Sequence, residues 1–494
     1  MLPVVLFALL TSPVLRAGYS TPIAVSRLQS GPINPRQFGA RGDGVTKDTA
    51  ALQQAIDAAS AAGGGTVIIP AGRYVCGTIH LKSHIALRLE PGATILGSPD
   101  DPDYRPIEKL PYESHSDQET TDFQRALIAG DGLEDVSIEG HGVVDSNRTR
   151  RGGPKPIALR RCQGVTIRDV TVQNAPNYSV SLVGCEHVNI DGVTVLNGYA
   201  DGIDPDCCRY VRISNCAVDS HDDAICLKSS LALGKPMPTE FVTVTNCIMR
   251  TDCNGFKMGT ESSGAFKSVT VSNCDIASRP DHKEDTDAGI ALETTDGAEV
   301  ERIAVSNITI KGMYCPIFIR LGNRGRGQNP PVPGYLRDVR ISNIVAQGAA
   351  IASSIAGLPD HPVEEVAISD ITVSRPADMR TRADLSVPES GDKYPDPDMY
   401  GPLPASGLYC RHVRGLTLRG LVFDVMKSPA VTAVVMDDVS HLFLSDLTVC
   451  ERHAKTPAVW LNSCQGWTLR DVDTQMKREH VIRLTGGSRG EMLK

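Results

Sequence analysis

Val211-Arg212-Ile213-Ser214-Asn215-Cys216-Ala217-Val218 alternates apolar residues with others, slips by one position at Asn215, and then alternates again. Period-two alternation marks strands with one buried face. A slip of one residue would turn the second half outward, so the chain has to bend at Asn215 for both halves to face the same core.

The same register recurs along the chain. Its copies are Val165-Ile167-Val170-Val172, Val188-Ile190-Val193-Val195, Val242-Val244-Cys247-Met249, Val269-Val271-Cys274-Ile276, Ile303-Val305-Ile308-Ile310, Val339-Ile341-Ile344-Ala346, Val366-Ile368-Ile371-Val373, Leu416-Leu418-Leu421-Phe423 and Leu442-Leu444-Leu447-Val449. Weaker copies stand at Val136-Ile138 and Trp467-Leu469-Val472. The bend position is Gly140, Asp169, Gly192, Asn215, Asn246, Asn273, Asn307, Asn343, Asp370, Gly420, Asp446 and Asp471. Every one is Gly, Asn or Asp, the residue types that tolerate a left-handed backbone. Copies begin mostly 23 to 36 residues apart, with 50 between Val366 and Leu416, enough for one coil of about three short strands. The fold expected is an all-β, single-stranded, right-handed parallel β-helix, since parallel crossovers are right-handed. Equivalent residues of neighbouring coils then stack about 4.8 Å apart.

One such solenoid, from about residue 31 to 480, accommodates most of the 494 residues as a single catalytic domain. Residues 34–100 read as its N-terminal cap module. Asp48 and Thr49 offer capping oxygens for a helix over Ala50–Ala62, Gly63-Gly64-Gly65 ends it, and strands follow at 66–69, 73–76 and 85–89. Such a helix covers the open end of a stacked β structure. Long excursions at 277–289, 321–336 and, above all, 374–410 are expected to wall a binding face. Met1 to Gly18, an apolar run followed by Arg-Ala-Gly, reads as a secretory signal, which places the mature chain outside the cell or in a periplasm. Cys216, Cys247 and Cys274 share one repeat position and are expected to fill the core as stacked thiols. A net charge of −8 argues against nucleic acid or an anionic membrane as partner, and a self-contained solenoid is expected to work as a monomer.

The chemistry concentrates between Tyr199 and Ser229. Asp201, Asp204, Asp206, Asp222 and Asp223 fall within 23 residues beside core strands. Asp201 and Asp222 are 21 residues apart, close to one coil, so stacking is expected to bring them together, with Asp223 adjacent. Carboxylates this close cannot all ionise normally, and one acid beside one base is what hydrolysis of a glycosidic bond requires. Such a site needs neither metal nor cofactor.

Asp-Gly-Ile-Asp-Pro-Asp (201–206), Asp-Asp-Ala-Ile-Cys-Leu-Lys-Ser (222–229), Gly-Thr-Glu-Ser (259–262) and the opening Phe-Gly-Ala-Arg-Gly-Asp-Gly-Val-Thr-Lys-Asp-Thr (38–49) together resemble glycoside hydrolase family 28, the polygalacturonase family. The resemblance implies Asp222 as general acid, Asp201 and Asp223 as the base pair that activates water, and inversion at the cleaved carbon. This chain departs from the family pattern in three places. Tyr199-Ala200 replaces the Asn-Thr before the first Asp, Cys253-Asn254-Gly255 replaces Gly-His-Gly, and Ala291-Leu292-Glu293 replaces the Arg-Ile-Lys that holds a substrate carboxylate. The departures predict a variant member, acting from a chain end and on a different sugar at the cleaved position.

Lys228, Lys257 and Arg320, with Arg324 and Arg326, are the candidate cations for a carboxylate or sulfate on the glycan. Asn254, Glu261 and Glu293 are candidates for sugar hydroxyls, Tyr199 for stacking on a sugar ring, and His221 for tuning Asp222. The function expected is hydrolysis of an O-glycosidic bond in a pectic or related uronic or sulfated polysaccharide or oligosaccharide. Two alternatives stand beside it: a lyase using Asp clusters to hold Ca²⁺ with Arg or Lys as base, and a non-catalytic carbohydrate-binding β-helix.

Overall fold

The computed structural model describes residues 31–281, 286–375, 381–425, 431–450, 456–473 and 481–493. Met1 to Gly18 lies outside the described residues. Among the described residues thirty-five strands join in one hydrogen-bonded network, and strands of each coil pair in parallel with those of the next, as in Val188↔Val211, Val211↔Val242 and Val242↔Val269. The parallel β-helix expected from the repeat is therefore the fold. Its last strands, Ile482–Thr485 and Arg489–Met492, lie beyond the expected boundary at 480.

All twelve bend residues have positive φ, from Asp471 at 47° to Gly140 at 106°. The Asn members also bond along the stack: Asn343 Nδ2 donates to Asn307 Oδ1 at 2.8 Å, and Asn307 Nδ2 to Asn273 Oδ1 at 3.0 Å. Asn thus serves the left-handed turn and links successive coils through its amide. The apolar positions flanking the bend form the buried core, and Cys216, Cys247 and Cys274 are stacked within it as free thiols.

The cap helix spans Thr49–Ala61 and buries Leu52, Ala55, Ile56 and Ala59. Asp48 does not cap it with its side chain. Its carboxylate instead accepts from the Arg41 and Gly42 amides, and Thr49 Oγ1 accepts from the Gly77 amide, so both residues fix neighbouring turns. At Gly64, with φ 116°, a Cβ would come within 2.7 Å of the His84 carbonyl oxygen, which requires glycine there.

One face of the coil carries the acidic stretch. Its strands include Lys155–Arg160, Val180–Val183, Ile203–Asp206, Ile225–Ser229, Phe256–Ser262, Ala288–Thr294 and Cys315–Leu321. Ile203 pairs with Ile225 and Ile225 with Phe256. Two residues earlier in each coil, Asp201, Asp223 and Asn254 consequently form a row, secured by Gly202 N–H donating to Asp223 O and Ala224 N–H donating to Asn254 O. Asp201 therefore stacks on Asp223 and not on Asp222. The coil step is 23 residues at Val195↔Val218 and shortens to 22 at Gly198↔Ser220, one residue longer than the 21 that would have paired Asp201 with Asp222.

Candidate active site

Asp201 and Asp223 point out of the sheet and are nevertheless buried, as are Asp204, Lys228, Lys257 and Glu261. Each carboxylate of the row receives a lysine from the following coil. Lys228 Nζ lies 2.6 Å from Asp201 Oδ2 and 3.2 Å from Asp204 Oδ1; Lys257 Nζ lies 3.1 Å from Asp223 Oδ2. The Lys228 ammonium also sits 3.8 Å from the centroid of the Tyr178 ring. These two lysines, expected to bind substrate, are counter-ions to the acidic row.

The environments push the two stacked carboxylates apart. Burial, and then Asp204 beside it, hold Asp201 well above the ordinary carboxylate range despite Lys228. Burial likewise pushes Asp204 up to about 6. For Asp223 burial acts in the same direction, but Lys257 and the Asn254 side chain outweigh it and hold the carboxyl below its ordinary value. Asn254 Nδ2 donates to Asp223 Oδ1 at 2.8 Å and its backbone N–H reaches the same oxygen at 3.2 Å. The residue standing where the family pattern has histidine thus stabilises an ionised Asp223.

Asp222 leaves the regular strand and faces the opening, its side chain 22% exposed. Its Oδ1 accepts from the Asp223 amide at 2.9 Å, and its backbone oxygen is held by Ser220 Oγ and Thr251 Oγ1. Asp222 Oδ2 bonds Arg151, a residue that the sequence does not single out, and Arg151 also donates to both oxygens of Glu119 at 2.9 and 2.6 Å.

Two segments wall the row. On one side the stretch around the short helix Gln118–Thr121 is tied down: Asp117 N–H reaches Glu261 Oε1 at 3.4 Å, Thr120 Oγ1 meets Tyr178 Oη at 3.3 Å, and Tyr112 Oη donates to the Ala232 carbonyl at 2.8 Å. On the other side the long insertion brings Tyr394, whose hydroxyl accepts from Thr260 Oγ1 at 2.9 Å and whose ring lies beside Lys257. The carboxylates therefore lie in a recess between these two segments.

The remaining candidates divide. Glu261 is in the recess, pushed up to about 7 by burial with Asp117 adding to it. Glu293 is buried beside Lys257 and pushed up to about 8, chiefly by burial. Arg320 does not reach the recess: its guanidinium donates to the carbonyls of Gly357, Glu389 and Ser390 and anchors the long insertion. Arg324 is paired with Asp296, and Arg326 with Asp117. Tyr199 stacks on His221 at 5.3 Å between ring centroids, and His221 directs its nitrogens to Asp252 and Asn197 rather than to Asp222. Both belong to the scaffold.

Glu293 gives a prediction for stability. Its folded value of about 8 stands above the ordinary 4.5, so the folded state holds a proton that the unfolded chain has lost. Its contribution is fully present below pH 4.5 and is lost as pH rises through about 8. Glu293→Gln is expected to flatten the fall in unfolding midpoint between roughly pH 5 and pH 8; an unchanged slope would show that Glu293 is ionised in the folded protein.

The parallel β-helix thus stacks Asp201 on Asp223 on one face, with Asp222 beside them, the kind of carboxylate cluster that glycoside hydrolysis requires. The family model "Glycosyl hydrolases family 28" matches residues 67–388, and the chain belongs to that family of glycoside hydrolases. It is 28% identical over 366 residues to a probable polygalacturonase of Vitis vinifera, covering 68% of this chain and 73% of that one. It is 24% identical to the exo-poly-alpha-D-galacturonosidase of Dickeya chrysanthemi, covering 64% of this chain and 62% of that one. The crystal structure of a hyperthermoactive exopolygalacturonase from Thermotoga maritima superposes with a TM-score of 0.60 at 25% identity, over 71% of this chain and 88% of that chain.

Proposed function

We propose that this protein hydrolyses pectic chains from one end, removing uronate sugars with inversion of configuration. The observation that carries this reading is the row formed by Asp201 and Asp223 at the floor of a walled recess, with Asp222 turned to its open side. A polymer passing straight through would need clearance on both sides of the row, whereas segments tied down at Glu261 and at Thr260 suit a chain terminus. Relatives named for polygalacturonate, two of them for exo action, support the substrate class and the mode.

In this reading Asp222 protonates the leaving oxygen. Asp223, kept ionised by Lys257 and Asn254, takes the proton of the attacking water. Asp201, with a raised affinity for protons, orients that water alongside Asp223. The lysines weigh against the Ca²⁺-dependent lyase alternative, because Lys228 and Lys257 already supply positive charge to Asp201, Asp204 and Asp223. A polymeric pectic substrate also supports action outside the cytoplasm, and a recess built from one chain suits a monomer.

The test is to incubate the protein with polygalacturonate and with galacturonate oligosaccharides, following reducing ends, product lengths and the absorbance of unsaturated ends together. Early release of short products of one size, without unsaturated ends, is expected. Unsaturated ends would replace hydrolysis by elimination, and a ladder of all lengths would replace chain-end action by internal cleavage.

A further inference from the structure

Arg151 occupies the turn between the strands Val143–Asp145 and Lys155–Arg160, far in sequence from the acidic stretch. Its side chain is 47% exposed at the mouth of the recess, and its guanidinium is shared between Glu119 and Asp222. A guanidinium can only donate hydrogen bonds. The Asp222 oxygen that it contacts is therefore an acceptor to a cation, and the other Asp222 oxygen accepts from the Asp223 amide. Both contacts favour the ionised carboxyl over the protonated one that a general acid requires. Before it can act, Asp222 must part from Arg151, and Arg151 must be offered another anion.

Lys228 is paired with Asp201, Lys257 with Asp223, Arg324 with Asp296, Arg326 with Asp117, and Arg320 with three carbonyls, while Lys155 is fully buried beside the Tyr178 ring and does not face the opening. Arg151 faces the opening, and Glu119 would still pair with it if Asp222 were displaced. Glu119 holds the Nε and Nη2 donors of the guanidinium, and the Nη1 donor that Asp222 now uses is the one a substrate carboxylate would take over.

We propose that Arg151 is the residue that reads the uronate carboxylate, exchanging Asp222 for it on substrate binding and so freeing Asp222 to become the acid. This rests on the reading above that the substrate is a uronate chain. The freed Asp222 takes a proton from solvent and passes it to the leaving oxygen as the glycosidic C–O bond breaks. Water forms the new C–O bond and gives a proton to Asp223, which returns it to solvent. When the product leaves, ionised Asp222 pairs again with Arg151. A neutral sugar offers no anion for the exchange, so the acid stays disarmed. Substrate charge is thereby read at the catalytic step in a chain whose Ala291-Leu292-Glu293 supplies no cation.

The experiment compares wild type, Arg151→Gln and Arg151→Lys on trigalacturonic acid and on its methyl ester, with kcat and KM measured for each and unfolding midpoints as a folding control. For Arg151→Gln, kcat/KM is expected to fall at least ten-fold on the acid, mainly through KM, and to stay level or rise on the ester, where Asp222 is no longer held, with Arg151→Lys restoring part of the preference. Equal losses on both substrates would reduce Arg151 to a prop for Asp222 and overturn the proposal, as would an unchanged preference. Should Arg151→Gln fail to fold, Arg151→Lys decides: its preference for the acid must fall between wild type and none, and a preference equal to that of wild type overturns the proposal. If wild type itself shows no preference for the acid, the uronate reading fails and the exchange fails with it. That result is distinct from a wild-type preference that survives in the variants.

Discussion

Asp222→Asn is expected to lower kcat on galacturonate oligosaccharides by about 10²–10⁴-fold with KM nearly unchanged, the range that loss of a positioned general acid produces. Asn fills the same space and can still accept from the Asp223 amide, but it has no proton to give. The diagnostic lies in the leaving group. An activated aryl uronide departs without protonation, so Asp222→Asn should retain most of its rate there, whereas Asp223→Asn, lacking the base, should lose rate on both substrates. Equal losses for Asp222→Asn on the aryl and natural substrates would remove Asp222 from the acid's role and move the search to Glu261, a recess carboxyl that burial pushes up to about 7.

The second large effect concerns stability. Lys228 is buried with its ammonium against Asp201 and Asp204. Lys228→Met leaves two buried carboxyls without a cation and is expected to destabilise the fold by about 3–5 kcal/mol, the usual consequence of removing one partner of a buried pair. Those carboxyls would hold their protons to still higher pH than they do now. Their stability is retained at low pH and lost as pH rises through the raised values, so the deficit should be larger at pH 8 than at roughly pH 5. Adding Asp201→Asn and Asp204→Asn to Lys228→Met should recover part of it. Urea unfolding at the two pH values is the measurement. A loss no greater than for an exposed lysine, about 0–1 kcal/mol, would mean that solvent already screens the cluster.

The repeat was readable because two independent constraints coincide in each copy, a period-two core face and a left-handed bend. Asn215, Asn246 and Asn273 have the φ that their residue type foreshadows. The acidic row was readable as a cluster but not in its pairing. The shift between Val195 and Gly198 changes a coil step by one residue, and nothing in the local pattern signals it. Lys228 and Lys257 were found by motif, yet their role depends on reaching back one coil, which spacing alone does not show. Arg320 was misassigned because the carbonyls of Glu389 and Ser390, some seventy positions later, claim its guanidinium. Arg151 lies in a turn and Glu119 in a four-residue helix, both too short for periodicity, and the contacts of Arg151 with Glu119 and Asp222 span separations that no local signal encodes.

The central mechanistic claim is that Asp201 and Asp223 direct water itself, and not a carboxylate oxygen, onto the sugar carbon. Proton NMR of the first product released from an α-linked galacturonate trisaccharide, recorded before mutarotation, tests it most directly. Water attack predicts the β anomer as initial product. An initial α anomer would mean retention through a covalent intermediate on one of these carboxylates and would contradict it.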